Sequence, residues 1–411
     1  MEAKLELKLK LNANHTKLAG FIGYLTQSLI VNFPPLLFLT FIETYNISFA
    51  SVTSLIAISF TAQLLTDAFA AKFAHKFNVR ATVVLAHILA IVGITGYAYM
   101  PRLFPSFVGL TVCTILSAIG AGLVEVMISP IVEACPTDGK SAAMSFLHSF
   151  YSWGQVAVII LSTVFFKLIG IEHWQILACL WAIIPAIGAI AFSVVPIYSL
   201  AGDAPEVQKS KQIKNSKYKK LFAVFFILMF CSGAAEMALN QWASAFAEKG
   251  LNVSKATGDL LGPCAFAILM GLARIFHGKF SEKINLIKFI LASSVLCTIS
   301  YIIAALSPWP VFALVGCALC GLSVGIMWPG VYSLAAVNMP NISMRTYAVL
   351  ALGGDIGCML GPTVAGWFAG FFGDDLTPAF LLSCIYPVTM IIILLVFSKG
   401  WNSGKDIKTK R

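Results

Sequence analysis

The chain alternates long apolar runs with short polar breaks over nearly its whole length. A helix needs about 20 apolar residues to cross a bilayer. Twelve runs meet that length, at roughly 18–42, 48–71, 81–101, 105–132, 141–168, 173–198, 219–247, 257–278, 285–306, 309–337, 346–372 and 377–398, and they are numbered as spans 1 to 12. The expected class is an all-α membrane protein. One long polar interruption, 199–218, divides the runs six and six and has the composition of a linker. The expected organisation is a first bundle over 1–198, a linker over 199–218, and a second bundle with its tail over 219–411.

Composition agrees. The chain is 59% hydrophobic and 11% charged, against about 25% charged residues in a soluble domain. Of its ten cysteines, all but Cys135 lie in apolar runs, where a free thiol behaves as a small hydrophobe. Cys317-x-x-Cys320 has no second pair beside it, so no metal site and no cofactor is expected. Met1 to Lys17 alternates Lys or Glu with Leu and lacks a small-residue cleavage site, which fits a cytoplasmic tail better than a signal peptide.

The net charge of +10 is a topology signal. Of the 28 Lys and Arg, 23 fall in the N-terminal tail, the even-to-odd loops, the linker and the C-terminal tail. The opposite side holds four, Arg102, Lys167, Lys249 and Lys255, and Arg274 lies within a span. Cytoplasmic loops carry the excess of basic residues, so both termini and the linker are expected in the cytoplasm. No nucleic-acid partner is needed to explain the charge.

An internal repeat supports the six-and-six division. The end of span 2 reads Asp67-x-Phe69-x-x-Lys72-Phe73-x-x-Lys76, and the end of span 8 reads Arg274-x-Phe276-x-x-Lys279-Phe280-x-x-Lys283, 207 residues later. Gly122 to Pro130 in span 4 and Gly321 to Pro329 in span 10 share a spacing at an offset of 199. Two parallel six-helix halves are one known way to build a transporter.

Few charged residues fall inside the spans. Glu125 lies in Ala118-Ile119-Gly120-Ala121-Gly122-Leu123-Val124-Glu125-Val126-Met127-Ile128-Ser129-Pro130. An acid at that depth costs roughly 2.5–3.5 kcal/mol on insertion scales. Glu236 in span 7 and Asp355 in span 11 are comparable, and Asp67 lies nearer a span end. Low dielectric favours the neutral form of a carboxyl, so such acids can exchange a proton when water reaches them. Glu125, Glu236 and Asp355 are the expected proton-coupling residues.

Helical spacing groups the uncharged polar residues. Glu236 and Asn240 share a face with Trp242 beside it; His148, Tyr151 and Gln155 share another, with Trp153 off it. Asn32 precedes Pro34-Pro35, and Trp328 precedes Pro329-Gly330. Local unwinding is expected at both, because Pro and Gly free backbone groups to line a cavity. Amides, a carboxylate and indole rings suit a hydroxylated solute. The expected substrate-binding set is Asn32, His148, Tyr151, Gln155, Asn240, Trp242 and Trp328. Competing structural roles are helix–helix hydrogen bonds for Gln27, Gln63 and Gln241, packing for Trp153 and Trp242, a packed neutral imidazole for His148, and close helix packing around Asp355. Asp67, Arg274 and Glu282 are expected at gating ends.

The whole chain resembles the major facilitator superfamily. That family's loop pattern G-x-x-x-D-(R/K)-x-G-x-(R/K) is matched best by Gly278-Lys279-Phe280-Ser281-Glu282-Lys283, with Glu in place of Asp. In the first half Ala71, His75 and Asn78 depart from it. Within the superfamily, Glu125 five residues before Pro130, and Pro329 to Ala335, resemble the fucose–galactose–glucose:proton symporter branch. Leu147 to Gln155 and Glu236 to Trp242 are similar to bacterial transporters labelled fucose permease. The branch's acid in span 1 is absent here. The resemblance implies two six-helix bundles and proton-coupled sugar import across a bacterial inner membrane by a monomer in the lipid bilayer. The alternatives are proton-coupled efflux of drugs or metabolites, and a non-transporting membrane sensor. No nucleophile motif or phosphate loop points to an enzyme.

Overall fold

A computed structural model describes residues 11–73, 78–136, 140–198, 216–280, 284–339 and 344–399. All regular structure among the described residues is helical. Twelve helices are long and apolar enough to cross a membrane: Ala13–Tyr45, Phe49–Ala70, Val79–Leu103, Ser106–Glu133, Leu147–Ile169, Ile171–Val194, Lys219–Gly250, Lys255–His277, Leu286–Leu306, Pro310–Asn338, Val349–Gly370 and Leu376–Val396. Each answers one expected run, and they form the two pseudo-symmetric six-helix bundles anticipated above. Span 1 starts earlier than its apolar stretch, because Asn12 and His15 form a reciprocal cap that extends the helix into polar sequence.

The two Pro-containing sites behave differently. Pro34 and Pro35 open a 3-10 turn, Pro34–Leu37, between Ala13–Asn32 and Phe38–Tyr45. Span 1 is thus locally rewound as expected, since two consecutive residues lack the N–H that the helix needs. Span 10 is not unwound. It runs as one helix from Pro310 to Asn338 through Pro329. Only one donor is lost there, and the Ser333 hydroxyl donates to the Pro329 carbonyl at 2.9 Å.

Small residues set how closely the helices pack, and they repeat between halves. A Cβ on Gly154 in span 5 would meet Ser28 and Leu25 of span 1. One on Gly361 in span 11, 207 residues later, would meet the backbone of Ala234 in span 7. Gly93 and Gly120 seat span 3 on span 4, and Gly316 seats span 10 on span 9. The offset read from two loop motifs therefore extends into the packing.

The halves meet most visibly at the end opposite the termini. Trp242 of span 7 stacks on Phe49 of span 2, centroids 4.6 Å apart and 15° from parallel. The Lys249 ammonium sits 5.5 Å over the same Phe49 ring, and Lys255 sits 5.9 Å over Phe166. Leu36, Val156 and Ile159 of the first half share an apolar cluster with Cys264 and Ala267 of the second.

Gly357 should tolerate no side chain, because a Cβ there would run into the Phe230 carbonyl and the Ala234 amide of span 7. Gly357→Val is expected to destabilise the protein by about 1–3 kcal/mol or more, the usual penalty of overpacking. Gly370→Ala, which meets nothing within 4 Å, should leave the melting temperature of the detergent-purified protein unchanged.

Candidate functional site

Two polar groups lie inside the bundle. The first is built on Glu125. Its Oε2 accepts from Gln27 Nε2 of span 1 at 2.7 Å and from Gln63 Nε2 of span 2 at 2.8 Å. Span 2 comes this close because Gly122 has no side chain: a Cβ there would strike Asp67 Oδ1 at 2.6 Å and crowd Gln63 and Thr66. Asp67 lies within electrostatic reach of both Glu125 and Asp355, and Asp355 within reach of Glu125. Three acids from spans 2, 4 and 11 thus converge across the two halves. Gln27 is buried, and its Oε1, like Asp67 Oδ1, has no partner among the described residues. Nearby, Tyr24 and Ser129 share a hydrogen bond of 2.8 Å, and exposed His148 stands edge-on to Tyr24 at 5.1 Å.

The second group is built on Glu236 and Arg274. Arg274 Nη2 lies 3.4 Å from both Glu236 oxygens, while Nη1 donates to Ser152 Oγ of span 5 at 3.1 Å. One turn along, Gln155 Nε2 donates to Asn240 Oδ1 at 2.8 Å, joining span 5 to span 7. Tyr151 lies within electrostatic reach of Asn32, Glu236 and Arg274. Arg274 also acts electrostatically on His148. Asn32 additionally donates to the Ser28 carbonyl at 2.9 Å, within span 1. The structure thus brings Asn32, Tyr151, Gln155, Glu236 and Asn240 into one layer that bridges the halves.

The repeat relates the two groups. An offset of 207 carries Asp67 to Arg274 and His148 to Asp355. Asp67 faces Asp355 where span 2 meets span 11, and Arg274 faces His148 where span 8 meets span 5. The two crossings are equivalent in position. One holds acids and the other holds bases.

Several expectations need correction. Trp242 does not line a polar cavity. It is fully buried, stacks on Phe49, and donates its indole N–H to the Pro362 carbonyl at 2.9 Å. Six residues past Glu236, it has rotated to another helix face. Trp328 packs between spans 10 and 11, its ring against Gly354 and edge-on to Tyr332. Asp67 and Arg274, expected at gating ends, each lie within electrostatic reach of an acid inside the bundle. Glu282 lies outside the described residues. Gln27 and Gln63 do make helix–helix hydrogen bonds, and both are to Glu125; Ser152, which holds Arg274, is absent from the expected set. The signal for the glutamines was only that a buried carboxylate needs donors and spans 1 and 2 offer amides. Among the described residues, no three His, Cys, Asp or Glu side chains are placed to hold a metal ion.

A separate shallow cleft opens beside the 3-10 turn of span 1, lined by residues including Pro34, Pro35, Phe38, Phe60 and Gln241. Its walls are mainly apolar, and neither Glu125 nor the Glu236–Arg274 pair lines it.

Comparisons with known proteins fit this architecture. A family model described as the Major Facilitator Superfamily matches residues 18–344 and 264–410. The multi-drug resistance efflux pump PmrA of Streptococcus pneumoniae is 22% identical over 93% of this chain and 97% of its own. The membrane protein MosC of Rhizobium meliloti is 25% identical over 80% of this chain and 78% of its own. A putative proline/betaine transporter of Staphylococcus aureus is 27% identical over 48% and 42%. Among solved structures, a D-xylose-proton symporter superposes with a TM-score of 0.71 at 16% identity, covering 96% of this chain and 98% of that one. The Escherichia coli fucose:proton symporter FucP superposes at 0.61 and 15% identity, covering 92% and 97%. At these identities the structures establish the fold alone.

The Gln155–Asn240 bond should behave as a buried pair. Gln155→Leu or Asn240→Leu alone is expected to destabilise by about 1–3 kcal/mol, since each strands its partner. The double variant should lose clearly less than the sum, read from thermal unfolding in a double-mutant cycle. Strict additivity would show that the two amides do not act together.

Proposed function

This chain belongs to the Major Facilitator Superfamily, and from that premise we propose that it imports a small polar solute, a sugar or sugar derivative, together with protons. The observation that carries this reading is Glu125, a carboxylate deep in span 4 held by two amide donors and no cation among the described residues. Such a group is costly as an anion and comfortable as a neutral acid. It therefore takes up a proton when exposed on one side and loses it when exposed on the other. Its charge reaches Asp67 and Asp355, and protonating it eases both.

The amides and phenol between spans 1, 5 and 7 supply the hydrogen-bonding surface a hydroxylated solute needs. They belong to both halves, so solute held between them responds to the relative position of the halves. In the proposed cycle, 1–198 rocks against 219–411 around this layer. The aromatic and lysine contacts at the end opposite the termini describe a state closed there. With 23 of 28 basic residues in loops and tails on the other side, that closed end faces outward across a bacterial inner membrane and both termini are cytoplasmic. A single chain suffices, since both halves of the site are its own. The folds of the xylose and fucose symporters support this reading.

A second reading is proton-driven efflux. It is favoured by the apolar cleft beside Pro34 and Pro35 and by the name of the relative PmrA. The first reading is preferred because the buried polar groups lie outside that cleft and join the two halves.

In proteoliposomes, Glu125→Gln should abolish accumulation of labelled solute driven by an inward proton gradient. Exchange of preloaded solute should persist, because exchange moves no net proton. Full proton-driven accumulation by the variant would remove Glu125 from the mechanism. Gradient-driven extrusion of apolar dyes, with no uptake of polar solutes, would favour efflux.

A further inference from the structure

The Arg274–Glu236 pair is poorly made for a structural ion pair. A guanidinium and a carboxylate normally meet fork to fork at about 2.7–2.9 Å through two nitrogens. Here both contacts run through the single atom Nη2, and both are 3.4 Å. The acid side chain is 6% exposed, whereas Arg274 remains 28% exposed. The cation is thus loosely held by its acid and open on one side.

The surroundings of Arg274 are basic or neutral donors, apart from Glu236. Nη1 is steadied by Ser152. His148 and Tyr151 lie within its electrostatic reach. The three converging acids are at the equivalent crossing between spans 2 and 11. One turn from Ser152, Gln155 is fully buried, and its Oε1 accepts nothing among the described residues. An acceptor in that state calls for a donor that the protein does not supply.

Resting on the import reading above, we propose that the transported solute is a polyhydroxy carboxylate, such as a uronate or aldonate, and that Arg274 docks its carboxylate. The fork edge left unused by Glu236 takes the two carboxylate oxygens. A hydroxyl of the solute donates to Gln155 Oε1. Glu236 is then a competitor that occupies Arg274 while the site is empty and yields it to the solute. Arg274 is a specificity-determining residue, distinct from Glu125.

Binding to the purified full-length protein tests this, by calorimetry with glucuronate, gluconate, glucose, galactose, proline and betaine as probes. The sugar acids should bind in preference to the neutral sugars. Arg274→Gln should weaken them about ten- to a hundredfold, the span expected for a hydrogen-bonded charge, with Arg274→Lys intermediate. Glu236→Gln should bind sugar acids at least as tightly as the native chain, because the competing anion is gone. A purely structural pair predicts the reverse, a loss in both Arg274→Gln and Glu236→Gln. If Arg274→Gln does not fold, Glu236→Gln and Arg274→Lys decide the matter. Neutral sugars binding as well as the acids would overturn the proposal and leave sugar import standing. Binding of proline or betaine alone, lost in Arg274→Lys, would keep the carboxylate dock and overturn the sugar reading. Silence from every probe would overturn both.

Discussion

Burying charge in a dry helical bundle is the constraint on which this structure depends. An isolated ion in low dielectric must be neutralised, paired or hydrogen-bonded. The chain uses a different solution at Glu125, Glu236 and Asp67. Glu125 receives two amide donors. Glu236 receives a distant guanidinium. Asp67 receives the field of two other acids and no donor to its Oδ1 among the described residues. Each solution needs particular helices at particular distances, and Gly122 sets one of those distances by letting span 2 lie against span 4. The packing of the bundle and the chemistry of its interior are therefore one problem.

The internal repeat makes the asymmetry of charge informative. Gly154 and Gly361 keep equivalent packing roles in the two halves, so the backbone frame is duplicated. The residues carried on it have diverged in sign: Asp67 answers Arg274, and His148 answers Asp355. Asp67 and Asp355 face each other as two acids, whereas Arg274, opposite His148, is already approached by Glu236 at 3.4 Å. The same duplicated frame therefore holds unlike electrostatics at its two related crossings.

Much of this was legible in the sequence. Runs of apolar residues gave the twelve spans, because membrane helices must satisfy their backbone internally and cannot hide their length. The offset of 207 between Asp67 and Arg274 held for the packing glycines too. Glu125, Glu236 and Asp355 stood out by cost alone. Partners were harder to see. Gln27, Gln63 and Ser152 come from helices far apart in sequence, and nothing local marks a glutamine that serves an acid over one that ties two helices together. Trp242 lies beside the Glu236 face in sequence, but six residues of helix turn it away toward Phe49. Pro329 leaves its helix continuous, because a single proline costs one hydrogen bond and a helix supported on both sides absorbs it.

The absence of an acid within span 1 acquires a physical meaning once the partners are in place. Gln27 holds the position from which span 1 reaches Glu125, and it does so as a donor at 2.7 Å. A carboxylate there would have repelled Glu125 or shared a proton with it. With an amide, span 1 stabilises Glu125 without titrating. The acids within reach of its charge come instead from span 2 and, across the interface, from span 11. Charge on Glu125 is felt directly by the opposite half, through Asp355. A carboxylate confined to spans 1 and 4 would act only within the first half; this arrangement extends its influence to the interface between the two halves.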